Sequence, residues 1–240
     1  MAQRAAIVTG ASSGIGLAIA RMLGEEGFGL TLAARKPDKL EAAAAELRDA
    51  GADVEVVPAD VSDEEAIRTV VQRHGERFGR LDVLVNNAGV GLGAPIAGFT
   101  TKRIDVQLDV NLRSMILFYR ESVEMLKAAG AEHRNALVVN MASIAGKRGE
   151  AWLSIYSATK FGVVGFTQAM NRELNGDGIK SCAICPGFVD TAMTDFIKEQ
   201  VKAEEMIRPE DISEGVRYLL RLSPHCVIPE LVLQRPGEGL

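Results

Sequence analysis

The sequence predicts an α/β fold, a doubly wound parallel sheet of about seven strands with helices on both faces, formed by residues 1–240 as a single domain. Three observations carry that prediction. Short apolar runs alternate with helical patterns from one end of the chain to the other. Those runs are apolar at successive positions, as strands buried on both faces require. The first of them ends in a glycine-rich turn that leads straight into a helix. Right-handed crossovers then give the doubly wound arrangement, with ligands expected beyond the carboxyl ends of the strands.

The elements follow in order. AAIVT (5–9) reads as the first strand, followed by a helix from Ile15 to Glu26. FGLTLA (28–33) is the second strand, and Pro37 suits the first position of the next helix. VEVVP (54–58) precedes a helix whose Ser62 and Glu65 have the spacing of a capping box. LDVLVN (81–86) leads into a loop rich in glycine and then one long helix over 101–129. ALVVNM (136–141) is the fifth strand, followed by a helix over 154–175. IKSCAIC (179–185) is the sixth, ended by Pro186-Gly187. A helix from Pro209 to Leu222 and a last strand, CVIPELVL (226–233), complete the pattern.

Composition narrows the function. Hydrophobic residues make up 47%, enough for a sizeable core without disulfides or a structural metal. A net charge of −5 argues against a general nucleic-acid binder. The N-terminus runs into an apolar strand without a signal-peptide pattern, and no run approaches the length of a membrane helix, so a soluble cytoplasmic protein is expected. Cys182 and Cys185 spell C-x-x-C, but inside a strand-like segment, where a buried structural role is expected over redox chemistry. His74, His133 and His225 lack ligand spacing, and no metal site is expected.

The glycine turn reads TGASSGIG, with Gly10, Gly14 and Gly16. Glycines there permit a sharp strand-to-helix turn and let backbone N–H groups approach a pyrophosphate at the helix N-terminus. The second strand tests this dinucleotide reading. An acidic residue at its end would hold a ribose 2′-hydroxyl and favour NAD. The chain instead has Ala34, Arg35 and Lys36. Arg35 can pair with a 2′-phosphate through two hydrogen bonds, so NADP(H) is preferred over NAD(H).

Tyr156 and Lys160, four residues apart in SIYSATKFG, fall on one helix face. Alone, they read as an ordinary aromatic and an ordinary surface lysine. Taken with TGASSGIG, NNAG (86–89), Ser143 thirteen positions before Tyr156, and Pro186-Gly187, in that order, the chain resembles the short-chain dehydrogenase/reductase family over residues 5–191. That resemblance implies a Rossmann fold and hydride transfer between NADP(H) and a carbonyl or secondary alcohol. It implies that Gly10, Ser12, Ser13, Gly14, Ile15 and Gly16 border the cofactor phosphates, that Asp60 and Val61 touch the adenine, and that Asn87 lines the cofactor site. Pro186, Gly187, Val189 and Thr191 would complete the cofactor contacts, with Thr191 at the carboxamide. Asn111 would hold a proton-relay water.

Ketone reduction needs a proton for the developing alkoxide. Tyr156 is the expected general acid in reduction and general base in oxidation. Lys160 would lower its pKa and bond the nicotinamide ribose, and Ser143 would polarise the substrate oxygen. A serine nucleophile is disfavoured, because no histidine lies near Ser143 in a triad-like context. Substrate choice falls to 144–153, 187–189 and 191–206, where Trp152, Met193, Phe196 and Met206 could line an apolar pocket. The last strand lacks the Val-Asp-Gly-Gly-like turn common in that family. A homodimer or homotetramer is the family-level expectation, with Ala158, Gly162 and Gly165 permitting close helix contact. The alternative is an NADP-binding regulatory or scaffold protein without turnover.

Overall fold

The computed structural model describes residues 3–237. Its strands are β1 (Ala5–Thr9), β2 (Gly29–Ala34), β3 (Val54–Pro58), β4 (Val83–Asn86), β5 (Ala136–Met141), β6 (Ile179–Pro186) and β7 (Glu230–Leu233). They form one sheet in the order β3-β2-β1-β4-β5-β6-β7, and every neighbouring pair is parallel. The order reverses between β1 and β4, so the crevice of this doubly wound fold opens at their carboxyl ends.

The helices are α1 (Gly14–Glu25), α2 (Pro37–Asp49), α3 (Glu64–Phe78), α4 (Thr101–Leu108), α5 (Ser114–His133), α6 (Ser154–Leu174) and α7 (Pro209–Arg221). Because side chains alternate along a strand, Ala6 and Val8 point into one core layer and Ile7 into the other. The first layer packs the sheet against α1, α2 and α7 through Ile19, Leu23, Leu40, Ile212 and Val216. The second packs it against α3 and α5 through Ile67, Val70, Leu117, Phe118 and Leu126. The same alternation puts Cys182 and Cys185 on opposite faces of β6, both buried, so their sulfurs cannot meet. No helix among the described residues is long and apolar enough to cross a membrane.

Three expectations are corrected. The helix over 101–129 is α4, a π-helical turn at Asp109–Arg113, and α5. Buried Gln107 and Asn111, four residues apart and so on one face, both reach the loop after β4, where they receive Leu92 N–H at 3.1 Å and Val90 N–H at 2.8 Å. The capping box at Ser62 and Glu65 does not form. Asp60 takes the Ser62 N–H and hydroxyl at 3.0 and 2.8 Å, which leaves Asp63 to cap α3 by accepting from Glu65 N–H. The last strand begins at Glu230 instead of 226, since Pro229 has no N–H for a ladder and offers only its carbonyl, to Ala183 N–H at 2.9 Å. Gly162 also serves the interior: a Cβ there would lie 2.9 Å from Leu112, so its smallness seats α6 on the π turn.

Candidate active site

At the switch point, β1 ends on Thr9, and Gly10 turns the chain through the left-handed region with φ 65°. The Thr9 hydroxyl accepts the N–H groups of Asn87 and Ala88 at 2.9 and 3.0 Å. Asn87 Nδ2 in turn donates to Thr9 O at 3.0 Å and Gly10 O at 3.4 Å, latching the ends of β1 and β4 together. Gly16 closes this latch from the helix side. A Cβ there would run into the Gly10 carbonyl and stand 2.5 Å from Asn87 Nδ2.

Helix α1 begins without a cap. Ser13 is extended, its side chain makes no capping bond, and the first turn carries no acidic residue. Its first N–H groups and the positive end of its dipole are thus left to an external anion. Ser12 and Ser13 stand at this end, and Ile15 packs partly buried against the first core layer. Thr191 lies close by, since a Cβ on Gly14 would be 3.1 Å from its Cγ2. The segment after β6 therefore meets the glycine turn across the crevice. Pro186 is buried at the strand end, Gly187 N–H donates to Leu233 O at 2.8 Å, and buried Val189 bridges to Ile207.

Arg35 is exposed at the end of β2 and has no hydrogen-bonded partner among the described residues. Its charge helps hold the Asp60 carboxyl below the ordinary range, though the Ser62 N–H bond is the larger cause. Val61 is buried in the second core layer, so only its backbone can meet a ligand. An uncapped helix N-terminus, a glycine turn and an unengaged guanidinium fit a dinucleotide that carries a 2′-phosphate.

Beyond the end of β5, Ser143 is extended and its Oγ accepts Ala145 N–H at 3.1 Å. The Tyr156 hydroxyl, in the first turn of α6, stands beside the Ser143 side chain. Lys160, 4% exposed, donates from Nζ to Met141 O at 2.7 Å and lies 5.5 Å from the centre of the Tyr156 ring. Burial pushes the Tyr156 phenol above its ordinary value, and the neighbouring Ser143 hydroxyl draws it part of the way back. Lys160 itself is lowered to about 8 by burial.

Asn111 stands behind this cluster. Both its amide hydrogens are taken, by Val90 O at 2.9 Å and Thr159 Oγ1 at 3.2 Å, while Oδ1 receives Val90 N–H. A relay water would have to use its main chain or the second lone pair of Oδ1. Around the mouth, Trp152, Met193 and Phe196 are exposed, whereas Met206 is buried and belongs to the packing beneath. A Cβ on Gly91 would lie 3.9 Å from the Tyr156 ring and 4.0 Å from Met193 Sδ, so these two side chains flank the loop after β4. Trp152 has φ 69°, rare for a bulky residue, and its carbonyl is fixed by Ala94 N–H at 2.8 Å. Among the described residues no group of three His, Cys, Asp or Glu could hold a metal ion.

Some residues that build the site escape a reading of motifs. Thr9 has a signal, a hydroxyl at the last strand position before the glycine turn. Gln107, Thr159 and Gly146 have none, since each acts through a partner distant in sequence.

The geometry defines a dinucleotide-binding α/β protein with a serine, a tyrosine and a lysine gathered at the nucleotide crevice. The family model described as short chain dehydrogenase matches residues 4–202, and this chain belongs to that family. A putative ketoacyl reductase of Streptomyces coelicolor is 39% identical over 236 residues, covering 90% of this chain and 89% of its own. Among solved structures, a single-substitution variant of actinorhodin polyketide ketoreductase with NADPH is 35% identical with a TM-score of 0.86, covering 98% of this chain and 97% of its own. An alcohol dehydrogenase of Thermococcus sibiricus complexed with 5-hydroxy-NADP reaches a TM-score of 0.89 at 30% identity, covering 99% of each chain.

Proposed function

We propose that this protein is an NADP(H)-dependent oxidoreductase that interconverts a carbonyl and a secondary alcohol, with Tyr156 as general acid in reduction and general base in oxidation. The observation that carries it is the Ser143–Tyr156–Lys160 cluster, set beside the uncapped N-terminus of α1 at the carboxyl ends of the strands. When bound, the dinucleotide supplies the hydride in reduction and accepts it in oxidation. The α1 N-terminus and Gly10, Gly14 and Gly16 would hold its pyrophosphate, Arg35 its 2′-phosphate, and Thr191 with Gly187 its nicotinamide end. Asp60 and the Val61 backbone would meet the adenine, and Lys160 the ribose.

Ser143 Oγ donates a hydrogen bond to the carbonyl oxygen and orients it toward Tyr156. Tyr156 gives its phenolic proton to that oxygen as negative charge develops there. The phenolate left behind is stabilised by the Lys160 ammonium, which is mostly charged at pH 7 with a pKa of about 8. Asn111 holds the loop after β4 against this cluster.

A regulatory or scaffold role is not favoured, because a binder has no use for a proton donor beside a buried cation. Relatives named as ketoacyl reductases support a ketoacyl substrate as the first to test, offered here as its thioester. We take the working form to be a single catalytic domain assembled as a homodimer or homotetramer in the cytoplasm. Exposed Leu108, Ile116 and Phe161 on α4, α5 and α6 support the assembly. The test is cofactor oxidation over an acetoacetyl thioester, a cyclic diketone and an aryl ketone, with NADPH and then NADH. Turnover with NADPH well above that with NADH is expected. No turnover with either cofactor overturns the reading.

A further inference from the structure

The last strand departs from the common family turn, yet its first residue is tied to both segments that carry the catalytic side chains. Glu230 opens β7, held to β6 through the Pro229 carbonyl and the register Ala183↔Glu230. Its carboxylate pairs with Lys147 through one oxygen and accepts from Gln168 Nε2 at 2.8 Å through the other. Both partners lead to the site. Lys147 directly follows the short turn Ile144–Gly146 that begins at Ser143. Gln168 lies on α6, two turns beyond Lys160. The turn itself is pressed against α6: a Cβ on Gly146 would stand 2.7 Å from the Lys160 carbonyl oxygen. Both side chains of the ion pair are mostly buried, at 29% and 19% exposure, where screening by salt is weaker than at an open surface.

We propose that Glu230 is a positioning residue for the reaction: together with Lys147 and Gln168 it clamps the turn bearing Ser143 against the helix bearing Tyr156 and Lys160. The clamp touches neither substrate nor cofactor. It acts on the relative placement of the Ser143 and Tyr156 hydroxyls, which decides how well the carbonyl oxygen is held for protonation. A lone structural role for Glu230 would instead show only as lost stability.

This inference rests on the reductase reading above, and the test separates the two. Wild type, Glu230→Gln, Lys147→Met and the exchanged pair Lys147→Glu/Glu230→Lys are compared as full chains with NADPH and acetoacetyl thioester. The readouts are kcat, KM for each substrate, NADPH affinity by fluorescence and urea unfolding. Each single variant is expected to lose roughly tenfold in kcat, as small misplacements of reacting groups do, with NADPH affinity and KM held close to wild type. The exchanged pair is expected to recover most of the lost kcat, which a defect in stability alone would not do. Unchanged kcat in the folded single variants overturns the clamp while leaving the reductase reading intact. So does an exchanged pair no faster than either single variant. If Glu230→Gln fails to fold, Lys147→Met and the exchanged pair decide the matter by the same criteria. A wild-type protein inert toward every carbonyl tested overturns both readings.

Discussion

Replacing Lys160 by methionine should make the cofactor-free protein more stable at neutral pH while removing its catalytic cation. The ammonium is 4% exposed, and burial lowers its pKa from 10.5 to about 8. At about 1.36 kcal/mol per unit, holding the charged form in the fold costs about 3 kcal/mol at pH 7. The lost bond to Met141 O returns about 1 kcal/mol of that. The variant should therefore gain about 2 kcal/mol at pH 7. The sign follows from proton counting: between pH 8 and 10.5 the unfolded chain binds the proton and the folded one does not. Wild-type stability from this residue thus rises with pH across that window, and the gain of Lys160→Met shrinks as it does. Urea unfolding of both proteins at pH 7 and pH 10 reads the difference. A variant less stable than wild type at pH 7, by a margin that does not change with pH, would refute the buried-cation reasoning.

Three other outcomes are expected. Arg35→Gln should weaken NADPH binding about tenfold or more, the loss of charge-assisted bonds to a 2′-phosphate, and leave NADH affinity unchanged in fluorescence titrations. Gly16→Ala should lower stability by about 1–3 kcal/mol in urea unfolding, since its methyl meets Gly10 O and Asn87 Nδ2, and should weaken NADPH binding as α1 is displaced. His74 is buried between Thr31 and the Arg80 carbonyl, and burial lowers its pKa from 6.5 to about 4. Below pH 6.5 the unfolded chain takes up a proton the folded one refuses, so about 3 kcal/mol of stability should be lost as pH falls to 4. In His74→Gln that acid-side loss should flatten in a pH series of unfolding curves.

The sheet was legible because its strands are mostly apolar at successive positions and its helices carry one apolar face, both local properties. The glycine turn, Ser143, Tyr156 and Lys160 were legible as a set, since each sits at a junction between a strand and a helix or within the first two turns of a helix. What escaped was decided by partners that a local pattern does not reveal. The π turn at Asp109–Arg113 interrupts a pattern that reads as one helix, and Gln107 and Asn111 serve a loop near residue 90 that their own segment does not reveal. Asp60, two residues upstream, took Ser62 away from the capping box. The electrostatics of the site are likewise not local. The Tyr–Lys spacing is readable, but the rise of the phenol and the Lys160–Met141 bond depend on burial and on a strand carbonyl nineteen residues away.

The role of Tyr156 is tested most directly by single-turnover reduction of acetoacetyl thioester with Tyr156→Phe, beside a fluorescence titration with NADPH. Loss of the phenolic proton should cut the rate by about 10²–10⁴-fold, with NADPH affinity close to wild type. A variant that reduces the thioester at a near-normal rate would contradict Tyr156 as the proton donor.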